Sequence, residues 1–206
     1  MSIANFRRAA SFFLRSTACW PELSPPAEGL YALCFGSVAL YWQGRPVPIA
    51  NKKARELLAL LLFERGKLVS KAYAAQTLWP EVDTARGLDS LYKVCGSLRA
   101  VIRSGVPLPF EVRRDALWLD AGGIQSDLAQ FERLYRCRAE PDCCQAAIEL
   151  YAAPFAASEC YEWSARAEAY YDMRYLELLT QAKAHSAEMG DKAASEYYDR
   201  LLSTFS

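Results

Sequence analysis

The 206-residue sequence predicts an α+β fold in which a small mixed module precedes a set of helices. Residues 51–104 contain two short amphipathic segments followed by a long one, and residues 110–120 have the pattern of a hairpin with two arginines in its turn. Residues 126–203 carry helical periodicity throughout. Two short helices, one long helix and a basic hairpin, in this order, are typical of a winged helix-turn-helix.

The first 28 residues are interpreted as a leader helix and a linker. Residues 1–20 are predicted to form a short amphipathic helix that docks on the body, because its aromatic side chains need cover: Phe6, Phe12, Phe13 and Trp20. Arg15 interrupts the apolar residues, so no signal peptide is expected. The linker, residues 21–29, contains Pro25 and Pro26.

A small N-terminal sheet is predicted next. Residues 30–35 and 38–42 alternate enough to be strands, residues 43–46 supply a turn, and residues 47–49 form a third short strand. The predicted winged-helix domain begins with this sheet and covers residues 29–124.

The first helix of this domain is expected to begin at Asn51, a good N-cap, and to end at Gly66. One buried stripe is predicted along it: Ala54, Leu57, Leu58, Leu61 and Leu62. Ser70 is expected to cap the second helix, which runs to Trp79 because Pro80 cannot continue it.

The third helix is predicted over residues 84–104, beginning near Asp83 or Thr84. Its apolar residues fall within a narrow arc at 100° per residue, and these form the expected inner face: Leu88, Leu91, Cys95, Leu98 and Ile102. The opposite face then carries Arg86, Asp89, Lys93, Gly96, Ser97, Ala100 and Arg103. Residues 110–113 and 117–120 should follow as a hairpin around Arg113, Arg114 and Asp115.

Residues 125–206 are predicted to form an all-α domain. Ser126, Pro141 and Asp191 mark helix starts, and a longer helix is expected from about Tyr161 to Met189. Small residues at the crossings and aromatics between paired helices suggest a tetratricopeptide-like arrangement. The aromatic residues of this half are interpreted mainly as core.

The zero net charge hides an uneven distribution. Residues 29–124 contain 13 Lys and Arg against 8 Asp and Glu, a net charge of +5, whereas residues 125–206 contain 8 against 14, a net charge of −6. A basic half followed by an acidic half is expected of a nucleic-acid module joined to a protein-interaction module. A chance division of the charged residues between the two halves would produce the same two net charges.

The seven cysteines have no regular spacing, and most lie in apolar helical patterns. They are therefore expected to be reduced, buried thiols of a cytoplasmic protein. No run of about 18 apolar residues occurs, so no membrane span and no membrane partner is expected.

Several short motifs stand in the order of a known family. They are Lys53-Ala54-Arg55 with Leu57 to Leu61, Val69-Ser70-Lys71, Leu78-Trp79-Pro80 and Ser97-Leu98-Arg99, followed by Asp127-Leu128 with Phe131-Glu132, Ala147 to Tyr151 with Pro154-Phe155, Glu162-Trp163 and Glu188 to Asp191. Residues 30–203 thereby resemble the OmpR-type winged helix and bacterial transcriptional activation domain of SARP-type (antibiotic regulatory protein) regulators. No single motif is specific to this family; the order and spacing of the motifs carry the resemblance.

This resemblance implies a sequence-specific transcriptional regulator, an activator, that binds double-stranded DNA. Helix 84–104 would enter the major groove and the wing at 113–115 the minor groove. The predicted DNA-binding residues are Lys52, Lys53, Arg55, Lys71, Arg86, Lys93, Ser97, Arg99, Arg103, Arg113 and Arg114. Tandem or homodimeric binding is expected, because one such module covers little DNA, and the acidic half would serve self-association or contact RNA polymerase.

Other function classes fit the residues less well. No phosphate-binding glycine loop or His-Glu-x-x-His pattern occurs, and the single histidine, His185, lies on a long helix, so no enzyme, catalytic residue or cofactor is predicted. Cys137, Cys143 and Cys144 with Cys160 leave open a soft-metal or redox site, although the spacing matches no standard zinc site. The main alternative is an adaptor whose winged helix no longer reads DNA, which the acidic Asp89 on the presumed reading face favours.

Overall fold

The computed structural model describes residues 26–205, which fall into two compact units. We call residues 26–130 with 155–168 the winged unit, and residues 131–154 with 169–205 the helical unit. The predicted leader helix at 1–20 lies outside the described residues. The division into domains at 28/29 and 124/125 remains a prediction.

The winged unit opens with a four-stranded sheet. Strands β1 (Leu30–Leu33), β2 (Ala39–Trp42) and β3 (Arg45–Val47) form an antiparallel meander. The sequence prediction placed the third strand at residues 47–49, two residues later than the structure has it. Gln43 and Gly44 both have positive φ, which makes a tight two-residue turn, and Arg45 already pairs with Trp42.

Helices α1 (Lys52–Phe63), α2 (Lys71–Leu78) and α3 (Thr84–Arg103) follow in the expected order. The two expected N-caps are present, because the side chains of Asn51 and Ser70 accept from the backbone N–H three residues on. Asp83, near which α3 was expected to begin, caps α3 in the same way.

The buried face of α3 differs in part from the predicted one. Leu91, Cys95 and Leu98 are buried as expected, whereas Leu88 and Ile102 are only half-buried. Gly87, Val94 and Val101 take the remaining buried positions. The face is rotated because α3 approaches α2 at Gly87, where a Cβ atom would lie 3.4 Å from the Cβ of Ala75.

The wing is a three-stranded sheet in which β5 (Phe110–Val112) and β6 (Ala116–Leu119) form the predicted hairpin. The third strand, β4 (Val69–Ser70), pairs with β6 and was not predicted, since two residues carry no periodicity. Lys71, the first residue of α2, thus follows directly on a strand of the wing sheet.

The residues after the wing complete the winged unit. Strand β7 (Gln125–Ser126) runs parallel to β1 and gives the first sheet the order β3-β2-β1-β7. Asp127 then places its buried carboxylate on the backbone N–H groups of Cys34 and Phe35, at 2.7 and 2.6 Å, and of Leu128, at 2.8 Å.

A later segment also packs in the winged unit. Phe35 forms a β-bridge with Phe155, and the ring of Phe155 lies 5.9 Å from that of Phe63 on α1. The ring of Trp163 lies 6.4 Å from the Phe63 ring. Residues 155–168, interpreted from sequence as part of the acidic helical half, therefore belong to the core of the winged unit.

Helices α4 (Asp127–Arg136) and α6 (Ala165–Glu188) each contribute residues to both units, whereas α5 (Pro141–Leu150) and α7 (Lys192–Ser203) lie in the helical unit. The long helix predicted from Tyr161 is preceded by a 3-10 turn, Glu162–Ser164. Aromatic rings fill the core of the helical unit, as expected: Phe131, Tyr151, Tyr171 and Tyr175. Among residues 26–205, no helix is long and apolar enough to cross a bilayer.

The cysteines depart from the expectation of reduced, buried thiols. Cys137 and Cys143 form a disulfide across the connection between α4 and α5, because the end of one helix and the start of the next bring their Cα atoms to 5.8 Å. Cys34, Cys95 and Cys144 are buried free thiols, but Cys160 is exposed. Two of the candidate metal ligands are thus committed to each other, and no group of three or more His, Cys, Asp or Glu suited to a metal occurs in residues 26–205.

Candidate nucleic-acid interface

The outward face of α3 is the largest element of the candidate interface. Beyond its first turn, its exposed residues are Asp89, Tyr92, Lys93, Arg99, Ala100 and Arg103. Gly96 lies in the middle of this face, and a Cβ atom built there would meet nothing within 4 Å. The backbone of α3 is therefore open to close approach at this position.

The N-terminus of α1 borders one side of this face. The Asn51 side-chain amide donates to the Ser97 hydroxyl at 3.1 Å, which fixes the start of α1 against the middle of α3. Lys52, the next residue, is exposed, and so is Lys93, one turn before Ser97. Two predicted lysines are thus placed along one edge, while the Ser97 hydroxyl already has a partner within the protein.

The wing borders the other side of the face. The Lys71 Nζ donates to the backbone carbonyl of Arg114 at 2.8 Å and to the Tyr92 hydroxyl at 3.3 Å. It also lies 4.9 Å from the centre of the Tyr92 ring. Lys71 therefore connects α2, α3 and the wing tip. Tyr92 was not among the predicted site residues; its place one turn before Gly96 on the polar face was the available signal.

The two wing arginines differ in their surroundings. The Arg113 guanidinium contacts the Glu111 carboxylate at 3.1 Å and lies 4.5 Å from the centre of the Trp118 ring. It is held on the surface of the hairpin. Arg114, at the tip, is exposed. The tip thus presents Arg114 more directly than Arg113.

Two predicted basic residues on α1 point into a charged network inside the winged unit. The Lys53 Nζ lies 2.9 Å from the buried Glu56 carboxylate and donates to the Leu78 carbonyl at 2.6 Å. Arg55 donates to the Ile49 carbonyl at 2.7 Å and lies 3.7 Å from the Glu159 carboxylate. Their charges are balanced by acids of the fold, one of them on the 155–168 segment.

Arg86 lies at the start of α3, where its guanidinium is 3.4 Å from the Asp83 carboxylate and both side chains are well exposed. Arg99 and Arg103 lie further along the helix. Burial raises the pKa of the Cys95 thiol to about 11, and the opposing effect comes first from Arg99 and then from Lys71.

The winged unit as a whole carries less positive charge than the domain predicted over residues 29–124. The winged unit contains 14 Lys and Arg and 13 Asp and Glu, a net charge of +1, because residues 155–168 bring three of the acids. Among the predicted site residues, Arg86, Lys93, Ser97, Arg99 and Arg103 lie along α3. Lys52 follows Asn51, which contacts Ser97, and Lys71, Arg113 and Arg114 lie at or beside the wing. Lys53 and Arg55 stand apart from them.

The fold has a counterpart among solved structures. It is similar to Mycobacterium tuberculosis EmbR in complex with a low-affinity phosphopeptide, with a TM-score of 0.67 and 17% sequence identity over 80% of this chain. The match spans 47% of the EmbR chain, about half its length. No protein-family model and no curated protein sequence matches this chain significantly. The likeness shows the fold alone.

Proposed function

We propose that this chain is a sequence-specific, DNA-binding transcriptional regulator that acts as an activator. One observation carries the proposal. A long helix buries its apolar side under two shorter helices and exposes Lys93, Arg99 and Arg103 around an open Gly96, with an arginine-tipped wing beside it. The likeness to EmbR supports the same class of fold.

In this proposal α3 lies in the major groove, where its side chains reach base edges. Lys93 and Arg99 are long enough to donate to the acceptors of guanine, and a good bidentate contact contributes roughly 1–3 kcal/mol of discrimination. Lys52, beside the middle of the face, and Arg103, at the end of α3, contact phosphates, which sets the orientation on the duplex. The Asp89 carboxylate repels phosphate, so it restricts the orientations that α3 can take in the major groove.

The wing contacts the adjacent minor groove. Arg114 enters this groove, where a narrow A·T-rich segment concentrates negative potential. Arg113 stays against Trp118 and Glu111 and supports the hairpin beside it. The contacts of α3 in the major groove and of Arg114 in the minor groove together define a DNA site longer than α3 alone would read.

A fluorescence anisotropy titration on random duplex at two salt concentrations tests the proposal. Each of Lys93→Ala and Arg114→Ala should weaken binding, because a groove contact is lost. Arg103→Ala should also lower the magnitude of the slope of log K against log salt by about 0.9, because one phosphate neutralisation is lost. Lys67→Ala is the matched control: this exposed lysine follows α1 and lies 3.7 Å from the Glu64 carboxylate. Unchanged binding by the first two variants would remove α3 and the wing from the interface.

The stoichiometry of the same titration tests a second element of the proposal. One module of this size buries about 600–1,000 Å² against DNA, which is modest for specific binding. We therefore propose that two copies bind as a homodimer or in tandem, and that the helical unit supplies the contact between copies or to RNA polymerase. A single copy per saturated site would contradict the paired arrangement.

A protein-protein adaptor is the second candidate. It is favoured by Asp89 on the outer face and by the pairing of Lys53 and Arg55 with Glu56 and Glu159. An adaptor predicts no measurable affinity for any duplex at low salt, including a pool of random sequences. Selection of bound duplexes from that pool would separate the two candidates and would yield the DNA site.

A further inference from the structure

The ammonium group of Lys71 lies at the junction of three elements of the winged unit. Its two hydrogen-bond acceptors are the wing-tip carbonyl of Arg114, at 2.8 Å, and the hydroxyl of Tyr92 on α3, at 3.3 Å. Its own helix, α2, starts at this residue. Two of the three ammonium donors are thus directed at acceptors within the protein, on two different elements.

The backbone of Lys71 holds the same part of the wing. Its N–H donates to the carbonyl of Asp115 at 3.0 Å, and the preceding residue, Ser70, pairs with Ala116 in the wing sheet. The wing tip, residues 113–115, is therefore held to the start of α2 by the main chain. The Lys71 side chain adds the link from the wing tip to α3.

Tyr92 is the partner of this link on α3. Its side chain is 52% exposed. The Lys71 ammonium lies 4.9 Å from its ring centre, within the range of a cation–π contact. The ring is thus held in place on the outer face without being buried.

We propose that Lys71 is a positioning residue, which sets the distance between α3 and the wing tip through Tyr92 and the Arg114 carbonyl, and is not itself a phosphate ligand. The inference rests on the proposed function. A duplex that contacts α3 in one groove and the wing in the next requires both at a fixed separation. A loop already held in its bound position loses less conformational freedom on binding, so affinity rises without any new contact to DNA.

A double-mutant cycle on the whole 206-residue chain separates the positioning role from a phosphate contact. Lys71→Met should weaken binding to a random duplex several-fold while leaving the salt slope unchanged, and Arg114→Ala should cost much less in the Lys71→Met background than in the wild type. A phosphate ligand predicts the opposite: a slope lowered by about 0.9 and effects that add. That result would overturn the proposal.

Two conservative variants strengthen the test. Lys71→Arg keeps the charge and the donors and should restore most of the coupling to Arg114. Tyr92→Phe removes the hydroxyl acceptor but keeps the ring, and at this exposed position it should not impair folding; it should lower the coupling in part. Full coupling in Tyr92→Phe together with no loss in Lys71→Met would overturn the link to α3.

A measurement on the free protein keeps this inference distinct from the proposed function. The Arg113 amide donates to the Ala116 carbonyl within the wing turn, at 2.9 Å. Its hydrogen exchange should be several-fold faster in Lys71→Met than in the wild type, with no change in the β1–β2 amides, which serve as the control. If the wild type binds no DNA, the proposed function fails and the exchange rates still decide the positioning role; equal rates overturn it.

Discussion

At the scale of single residues, a buried carboxylate joins two distant parts of the 26–130 stretch of the winged unit. Asp127 is fully buried, and burial raises its pKa to about 6, although the backbone N–H groups of Phe35, Cys34 and Leu128 oppose the rise. Its oxygens accept from the Cys34 and Phe35 amides, which are more than 90 residues away in the chain. One side chain therefore fixes the loop after β1 to the start of α4.

The raised pKa of Asp127 predicts how stability depends on pH. Between the ordinary value of 3.8 and about 6, the folded state binds more protons than the unfolded state, so the unfolding free energy should fall as pH rises through this range. The expected change from this group is on the order of 3 kcal/mol. Chemical denaturation at several pH values between 4 and 7 measures it.

Asp127→Asn is the control for this prediction. Asparagine does not titrate, so the difference in unfolding free energy between wild type and variant should follow the same pH range. The variant should also be less stable at pH 4, because its amide N–H₂ would face a backbone N–H donor, at a cost of about 1–3 kcal/mol. A wild type that gains stability from pH 4 to 6 relative to the variant would show that the backbone donors outweigh burial.

At the scale of elements, α3 carries two glycines with different surroundings. Gly87 is buried where α3 crosses α2, and a Cβ atom there would lie 3.4 Å from the Cβ of Ala75. Gly96 lies on the outer face with open space around it. The first glycine serves helix packing, and we propose that the second serves the approach of DNA.

This difference predicts opposite effects of substitution on stability. Gly96→Ala should raise the unfolding free energy by about 0.5–1 kcal/mol, because alanine loses less backbone freedom in a helix. Gly87→Leu should lower it by about 1–3 kcal/mol, because the side chain has no room against α2. Denaturant unfolding checks both.

The same pair separates stability from binding. Gly96→Ala should weaken DNA binding even as it stabilises the fold, since the new methyl group stands between the helix backbone and the groove. A Gly96→Ala variant that binds random duplex as well as the wild type would place the closest approach elsewhere on α3.

At the scale of the whole chain, a stretch that comes late in the sequence packs in the unit that the early residues form. The sequence passes between the winged and helical units at residues 130, 154 and 168, and the returning segment contributes Phe155 and Trp163 to the core around Phe63. This segment also brings Glu159, which pairs with Arg55. The winged unit is thus built from two stretches of chain.

A truncation tests this organisation. A fragment that ends at residue 130 lacks Phe155, which is fully buried in the intact chain, and it leaves apolar surface of α1 exposed. We expect the fragment to melt less cooperatively and to bind an apolar dye. Phe155→Ala in the 206-residue chain, expected to lose about 3–5 kcal/mol of stability, provides the comparison without truncation. A fragment that melts as sharply as the intact chain would contradict the contribution of 155–168.

Local features were readable from the sequence because they depend on neighbouring residues. Helical periodicity and the capping side chains of Asn51, Ser70 and Asp83 located α1, α2 and α3, and the Arg113-Arg114 turn located the wing. Each depends on hydrogen bonds or side-chain spacing within a few residues. The open face of α3 follows from the same periodicity.

The tertiary structure decided which partner each charge and ring would meet. Lys53 and Arg55 pair with acids of the fold, Lys71 connects Tyr92 to the wing, and residues 155–168 enter the winged unit. Such choices join groups far apart in the chain, and they depend on burial and competing partners that no short window of sequence contains. The order of elements was therefore set locally, whereas the make-up of the candidate interface was set by long-range packing.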